Sequence, residues 1–136
     1  MPVRARFAQR FRLLALLRLS LYAGAVYDLG FAFVMAVAPQ WAARKLGLPL
    51  PGERFYLWLI AILLAMLAAL YVKAAQDPRR YSAVIAVAIA GRLAGAVAFT
   101  LSAAGQPDLA ALYPLAAADA AFGLGHALFW LPIRRS

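Results

Sequence analysis

At 136 residues, 66% of them hydrophobic and 14% charged, the chain has the length of one domain and is too apolar for a soluble one. It contains no cysteine, which excludes disulfides, thiolate metal sites and cysteine nucleophiles. The formal charge of +9 gathers at the ends of apolar stretches, the pattern of topology signals and anionic-lipid contacts; no basic face interleaved with exposed aromatics offers itself to nucleic acid.

The first twenty residues, MPVRARFAQRFRLLALLRLS, have the charge of a signal peptide but not its shape. The apolar run continues to Ala38, too long for a signal core, and no small-x-small cleavage pattern follows, so the segment is expected to be retained. Arg4, Arg6, Arg10 and Arg12 stand among Phe7, Ala8 and Phe11, which predicts a short interfacial segment over residues 3–12. The first span is predicted at 13–38 and ends at Pro39, which cannot continue the helical ladder. It exceeds the ~20 residues needed to cross a bilayer. Either it tilts or its first turns lie in the interface. Arg18, able to snorkel to headgroups, favours the second.

Residues 39–53 read PQWAARKLGLPLPGE. Trp41, Leu46 and Leu48 beside Arg44 and Lys45 predict an amphipathic turn on the membrane surface, broken by Pro49, Pro51 and Gly52. The second span is predicted at 55–74, with Tyr56 and Trp58 at one end and Tyr71 and Lys73 at the other as aromatic belts. A polar turn, Gln76-Asp77-Pro78-Arg79-Arg80, leads to the third span at 81–103. After the loop 104–108 comes the fourth, at 112–131, closed by Pro132. The expected fold is a single all-α transmembrane domain over 1–136, an integral membrane four-helix bundle.

Arg4, Arg6, Arg10, Arg12, Arg18, Lys73, Arg79, Arg80, Arg134 and Arg135 flank one end of these spans. The other end has Arg44, Lys45 and Arg54, and the loop between the third and fourth spans has none. The positive-inside rule then puts both termini of this multi-pass chain in the cytoplasm; the expected location, a bacterial inner membrane, rests on the resemblance given below.

Within the third span Arg92 lies about ten residues from either end, near the middle of a layer about 30 Å thick. An arginine at that depth needs a partner or water. Asp28 in the first span and Asp119 in the fourth lie at similar depth, so the three are expected to meet inside the bundle. Their helical faces carry Gly24, Ala25, Gly95, Ala96 and Gly123, small enough for close helix approach or for a hollow beside the charges. Gly91-x-x-x-Gly95 adds to the packing signal.

Two carboxylates facing one guanidinium leave surplus negative charge, which calls for a proton, a water or a cationic group. His126, the only histidine, is a candidate, although it falls about two turns from Asp119. Alone and without cysteine it makes a poor metal or haem site, and its expected role is a hydrogen-bonded polar residue. Tyr27 and Tyr22 either line the interior or face headgroups. Ser20, Thr100 and Ser102 can bond their own helix backbone. No Ser-His-Asp arrangement, P-loop or dinucleotide fingerprint occurs.

Several readings of the cluster stay open at this point. Asp28, Arg92, Asp119, His126 and Tyr27 form a polar pocket for a lipophilic or small amphipathic ligand, quinone or lipid-like. Alternatively Asp28 or Asp119 serves an isomerase or hydrolase as acid or base, or a transporter couples to protons. The bland reading is a purely structural ion-pair network. Besides the lipid bilayer, the partners in view are a lipophilic small molecule, a second copy of the chain and a membrane complex.

Tyr27-Asp28, Pro39 followed by Gly47-Leu48-Pro49, Asp77-Pro78-Arg79-Arg80-Tyr81, Gly91-Arg92 and Asp119 are spread over most of the chain. In these the chain resembles small bacterial four-span proteins of the DoxX-like kind and neighbouring families without assigned function. The resemblance implies a four-helix membrane bundle and, from the origin of the DoxX name in a quinone-reducing complex, an accessory role in a membrane redox system. It supplies no catalytic motif residue by residue. The sterol-isomerase and sigma-2-like group is similar in using intramembrane acids, but this chain lacks the fuller acid set expected there.

Overall fold

A computed structural model describes residues 3–134, with side chains from residue 8. The side chains of Arg4, Arg6 and Phe7, and the whole of Arg135, lie outside the described residues. The described chain is all-helical: α1 (Val3–Val37), α2 (Pro39–Leu46), α3 (Arg54–Gln76), α4 (Ser82–Gly105) and α5 (Leu112–Arg134), with a single 3-10 turn at Pro107–Leu109. Ala8–Val37 of α1, and α3, α4 and α5 entire, are each long and apolar enough to cross a membrane. Helices suit that setting because every backbone polar group inside them is satisfied without water.

α1 is longer than expected. Residues 3–12 are not a separate surface segment but the first turns of one 35-residue helix, about 50 Å long. No proline or glycine interrupts residues 3–23, so nothing breaks the ladder there. Arg18 explains where the excess goes. Its Nη2 donates to the Gln76 carbonyl at 3.5 Å, the last residue of α3, where a helix end favours a cation. The turns before Arg18 therefore run past the end of α3.

Pro39 does end α1, and it also starts α2. Ala38 is pushed out of helical geometry (φ −137°, ψ 47°), as a residue before proline tends to be, and Pro39 occupies the first turn of α2. The amphipathic turn expected within residues 39–53 is thus a full short helix over Pro39–Leu46. Gly47 closes it in the left-handed region (φ 65°), its N–H bonded to the Ala43 carbonyl at 3.0 Å. At the α3–α4 turn Asp77 Oδ1 accepts the Arg80 backbone N–H at 3.1 Å. Pro132 does not close α5. It lies inside the helix, two residues before its end at Arg134, where only a bond in the final turn is lost.

α1 packs chiefly on α3, and α4 on α5; α1 also meets α5, and the α3–α4 contact is much sparser. The outer faces of all four long helices expose large apolar residues, among them Val26, Phe33, Ile62, Met66, Val87, Leu101, Leu124 and Leu128. Such a surface suits lipid. Inside, two apolar cores are stacked along the bundle. One lies toward the arginine-rich end and includes Leu17, Leu21, Ala68, Ala74, Ile85 and Trp130. The other lies toward α2 and includes Ala32, Met35, Ala42, Leu48, Leu57 and Ala61. The charged residues sit between them.

Candidate functional site

Each long helix delivers one member of the central layer. Arg92 comes from α4, Asp28 from α1, Asp119 from α5 and Tyr71 from α3. Arg92 Nη2 donates to Asp28 Oδ1 at 2.5 Å, and Nη1 to Asp119 Oδ1 at 2.6 Å. Its Nε donates to the Tyr71 hydroxyl at 3.2 Å. Aromatic rings close around the cation: its Cζ lies 5.5 Å from the ring centres of Tyr27 and Tyr71 and 5.3 Å from that of Phe122. Asp28 and Tyr71 are fully buried, and Arg92 and Asp119 nearly so.

Glycines make room for this layer. A Cβ at Gly95 would overlap Asp119 Oδ2. One at Gly123 would lie 2.9 Å from Leu93 Cδ2 and 3.2 Å from Arg92 Cβ, and one at Gly24 3.2 Å from the Tyr71 ring. Gly91 plays no such part: a Cβ there would meet nothing within 4 Å. Within the bundle, therefore, the two glycines of Gly91-x-x-x-Gly95 do not share one packing face. Gly95 serves the carboxylate, one turn along from Arg92, while Gly91 faces outward.

Asp28, Arg92, Asp119 and Tyr27 thus come together, with Tyr27 lining the interior through its ring while Tyr22 is exposed. His126 does not join the carboxylates. It lies edge-on to Tyr71, ring centres 5.7 Å apart, on the arginine-rich side of the layer. Its Nδ1 shares a 2.7 Å hydrogen bond with Ser20 Oγ of α1, the donor being set by the imidazole tautomer. Ser20 therefore bonds across helices and not to its own backbone. Thr100 does bond back, to the Ala96 carbonyl at 2.7 Å. In the Ser20–His126 pair the hydroxyl meets Nδ1, and His126 Nε2 is buried with no partner among the described residues.

Tyr71 is the residue the sequence reading misplaced. It is a core residue and not part of an interfacial belt. The signal was its helical face: Leu57, Ala61, Leu64, Ala68, Tyr71 and Ala75 recur at steps of three and four, an alanine-rich stripe opposed to the bulky lipid-facing side.

On the α2 side the layer opens into a hollow of about 160 Å³, lined by Tyr27, Asp28 and Phe31 of α1, Ile60 and Leu64 of α3, Arg92 and Phe99 of α4, and Leu115 and Asp119 of α5. Its chemistry is uneven. The guanidinium has five N–H donors, of which the three bonds above use three. Asp28 Oδ2 is buried without a hydrogen-bond partner among the described residues. Two carboxylates against one guanidinium leave the layer short of positive charge. Among the described residues no group of histidine, cysteine and carboxylates is placed to hold a metal ion. Protein-family models, curated proteins and solved structures were all compared with the chain, and none matches.

Proposed function

We propose that this is a multi-pass membrane protein whose central hollow binds a lipophilic molecule carrying one small polar head. The observation that carries this reading is the buried, unpartnered Asp28 Oδ2 of a carboxylate that lines a 160 Å³ hollow. A buried polar atom without a partner costs free energy, and a ligand hydroxyl or amine donating to it recovers that cost. An anionic head is the poorer match, since Arg92 already holds two carboxylates. A carbonyl oxygen can still accept from an unused guanidinium N–H, so a quinone or quinol suits the pair of groups, in keeping with the DoxX-like resemblance and an accessory role in membrane redox chemistry. The remaining lining is apolar, Ile60 of that lining is exposed at the bundle surface, and the α3–α4 contact is sparse, which favours access from the bilayer over access from water.

Purification in mild detergent, followed by extraction and mass spectrometry, tests the reading. The parent should retain a lipophile in stoichiometric amount, and Leu64→Phe with Leu115→Phe, which narrows the hollow and leaves every charge in place, should lose it. A parent with nothing bound, or equal retention by the narrowed variant, overturns the proposal. Activity of an acid–base enzyme that survives narrowing but not Asp28→Asn would point to the enzyme reading instead.

The same proposal places both termini on the cytoplasmic side of a bacterial inner membrane. In the folded bundle Arg10, Arg79 and Arg134 share one end, and Arg44, Lys45 and Arg54 belong to α2 and the start of α3 at the other. A cysteine introduced by Gln106→Cys should label in intact cells, and one introduced by Gln76→Cys only after permeabilisation. The reverse pattern inverts the orientation.

A further inference from the structure

A second cleft lies at the arginine-rich end, away from the central layer. It is larger, about 530 Å³, and is lined by Arg10 and Leu14 of α1, Pro78 and Arg79 of the α3–α4 turn, Ser82 of α4, and Trp130, Ile133 and Arg134 of α5. The turns of α1 that run past the end of α3 form one wall. Three arginines from three separate parts of the chain converge here. Among the described residues the ion pairs are those of Arg92, so Arg10, Arg79 and Arg134 have no carboxylate partner. The nearest acid in sequence, Asp77, has one oxygen engaged with the Arg80 backbone N–H.

The cleft is also layered. On α1 Leu14 lies four residues farther into the bundle than Arg10, and on α5 Trp130 lies four residues farther in than Arg134; each step is about 6 Å along the helix. Trp130 is buried, and the Arg134 Cζ stands 5.0 Å above its ring. Charge sits outside and an apolar floor of Leu14, Trp130 and Ile133 lies beneath. A phospholipid has the same order along the membrane normal, phosphate outside and glycerol with acyl chain within. Free phosphate needs the charge but not the floor. The cleft also lies where α3 ends and α4 begins, at headgroup level for a bundle that spans the bilayer.

We infer that the Arg10–Arg79–Arg134 cleft is a binding site for the phosphate headgroup of an anionic phospholipid, which ties α1, the α3–α4 turn and the end of α5 together at the membrane surface. Basic pockets between transmembrane helices recognise such headgroups through charge-assisted hydrogen bonds from arginine to phosphate oxygens. The site is independent of the central hollow, so either can fail without the other.

The test uses the full chain in detergent micelles with phosphatidylglycerol or phosphatidylcholine added, read by native mass spectrometry and by the melting temperature. Phosphatidylglycerol should be retained and should raise the melting temperature; phosphatidylcholine should do neither. Retention should fall about 5-fold in Arg79→Gln and on the order of 100-fold in Arg10→Gln with Arg79→Gln and Arg134→Gln. Arg44→Gln with Lys45→Gln, which removes charge at the opposite end, should leave it unchanged. Arg79 is exposed on a turn, so its single variant remains informative if the triple variant does not fold. Equal retention of both lipids, or equal losses from the two ends, overturns the site. Displacement of phosphatidylglycerol by soluble glycerol phosphate at comparable concentration would make it an anion site without lipid character, which also overturns the inference.

Discussion

Arg92 is held differently on its two sides. Toward the arginine-rich end it meets Tyr71, and behind Tyr71 come His126, Leu17, Leu21 and Ile85, all fully buried. Toward α2 it meets a hollow, and the walls there, Ile60, Leu64, Phe99 and Leu115, are all partly or largely exposed. Immediately around Arg92, one side is a packed clamp and the other a hollow. The difference shows what a structural ion-pair network leaves unexplained. Pinning three helices needs the clamp, but it does not need a space beside the charges with a carboxylate oxygen left bare.

The largest expected effect tests whether the clamp is one unit. Arg92→Leu strands Asp28 and Asp119 in the interior, and losing one side of a buried pair costs about 3–5 kcal/mol. Arg92→Lys should cost less, and Asp28→Asn with Arg92→Leu should recover part of the loss. Denaturation in mixed micelles reads all three. Should the single variants unfold like the parent, the ion pairs do not hold the bundle.

Next in size is Gly95→Ala. The added methyl would overlap Asp119 Oδ2, and forcing a packed group aside costs about 1–3 kcal/mol. Gly91→Ala, four residues away and facing open space, serves as its control and should be close to neutral or slightly stabilising. Equal losses at the two glycines would mean the spacing matters as a helix-packing motif, contrary to the geometry.

Smaller again is Ser20→Ala, which removes the inter-helix bond to His126. Such bonds inside membranes average about 0.6 kcal/mol, so the same denaturation should shift only slightly. A loss of several kcal/mol would reveal a role for the pair beyond packing.

Much of this architecture was legible in the sequence. Four apolar runs separated by Pro39, Pro78 and Pro107 mark out four long helices, and counting depth along them brings Asp28, Arg92 and Asp119 to one level. What the sequence hid depends on which helices are neighbours. The Ser20–His126 bond requires α1 beside α5, and the Tyr71–Arg92 bond requires α3 beside α4; no residue pattern states either. Tyr71 was further disguised by position. Five residues from the end of α3, it occupies the place where tyrosines usually mark a membrane interface. The length of α1 was obscured because arginines suggest a surface segment, while continuity of a helix depends on the absence of breakers, not of charge.

The smallest expected effect bears most directly on the chamber. Leu64→Phe adds volume beside the 160 Å³ hollow, where in a packed interior extra atoms force strained rotamers and cost about 1–3 kcal/mol. Here the ring has space to enter, so stability should stay within about 0.5 kcal/mol of the parent, the range of an undemanding substitution. Gly24→Ala supplies the contrast on the clamp side, where its methyl would press against the Tyr71 ring at 3.2 Å. It adds less volume and should nonetheless cost more. The pair separates space from size: if Leu64→Phe is the more damaging, the hollow closes in the membrane and the two sides of Arg92 are packed alike. If it is tolerated while retained lipophile is lost, the chamber is both open and occupied, and its looseness is what the bundle keeps for its ligand.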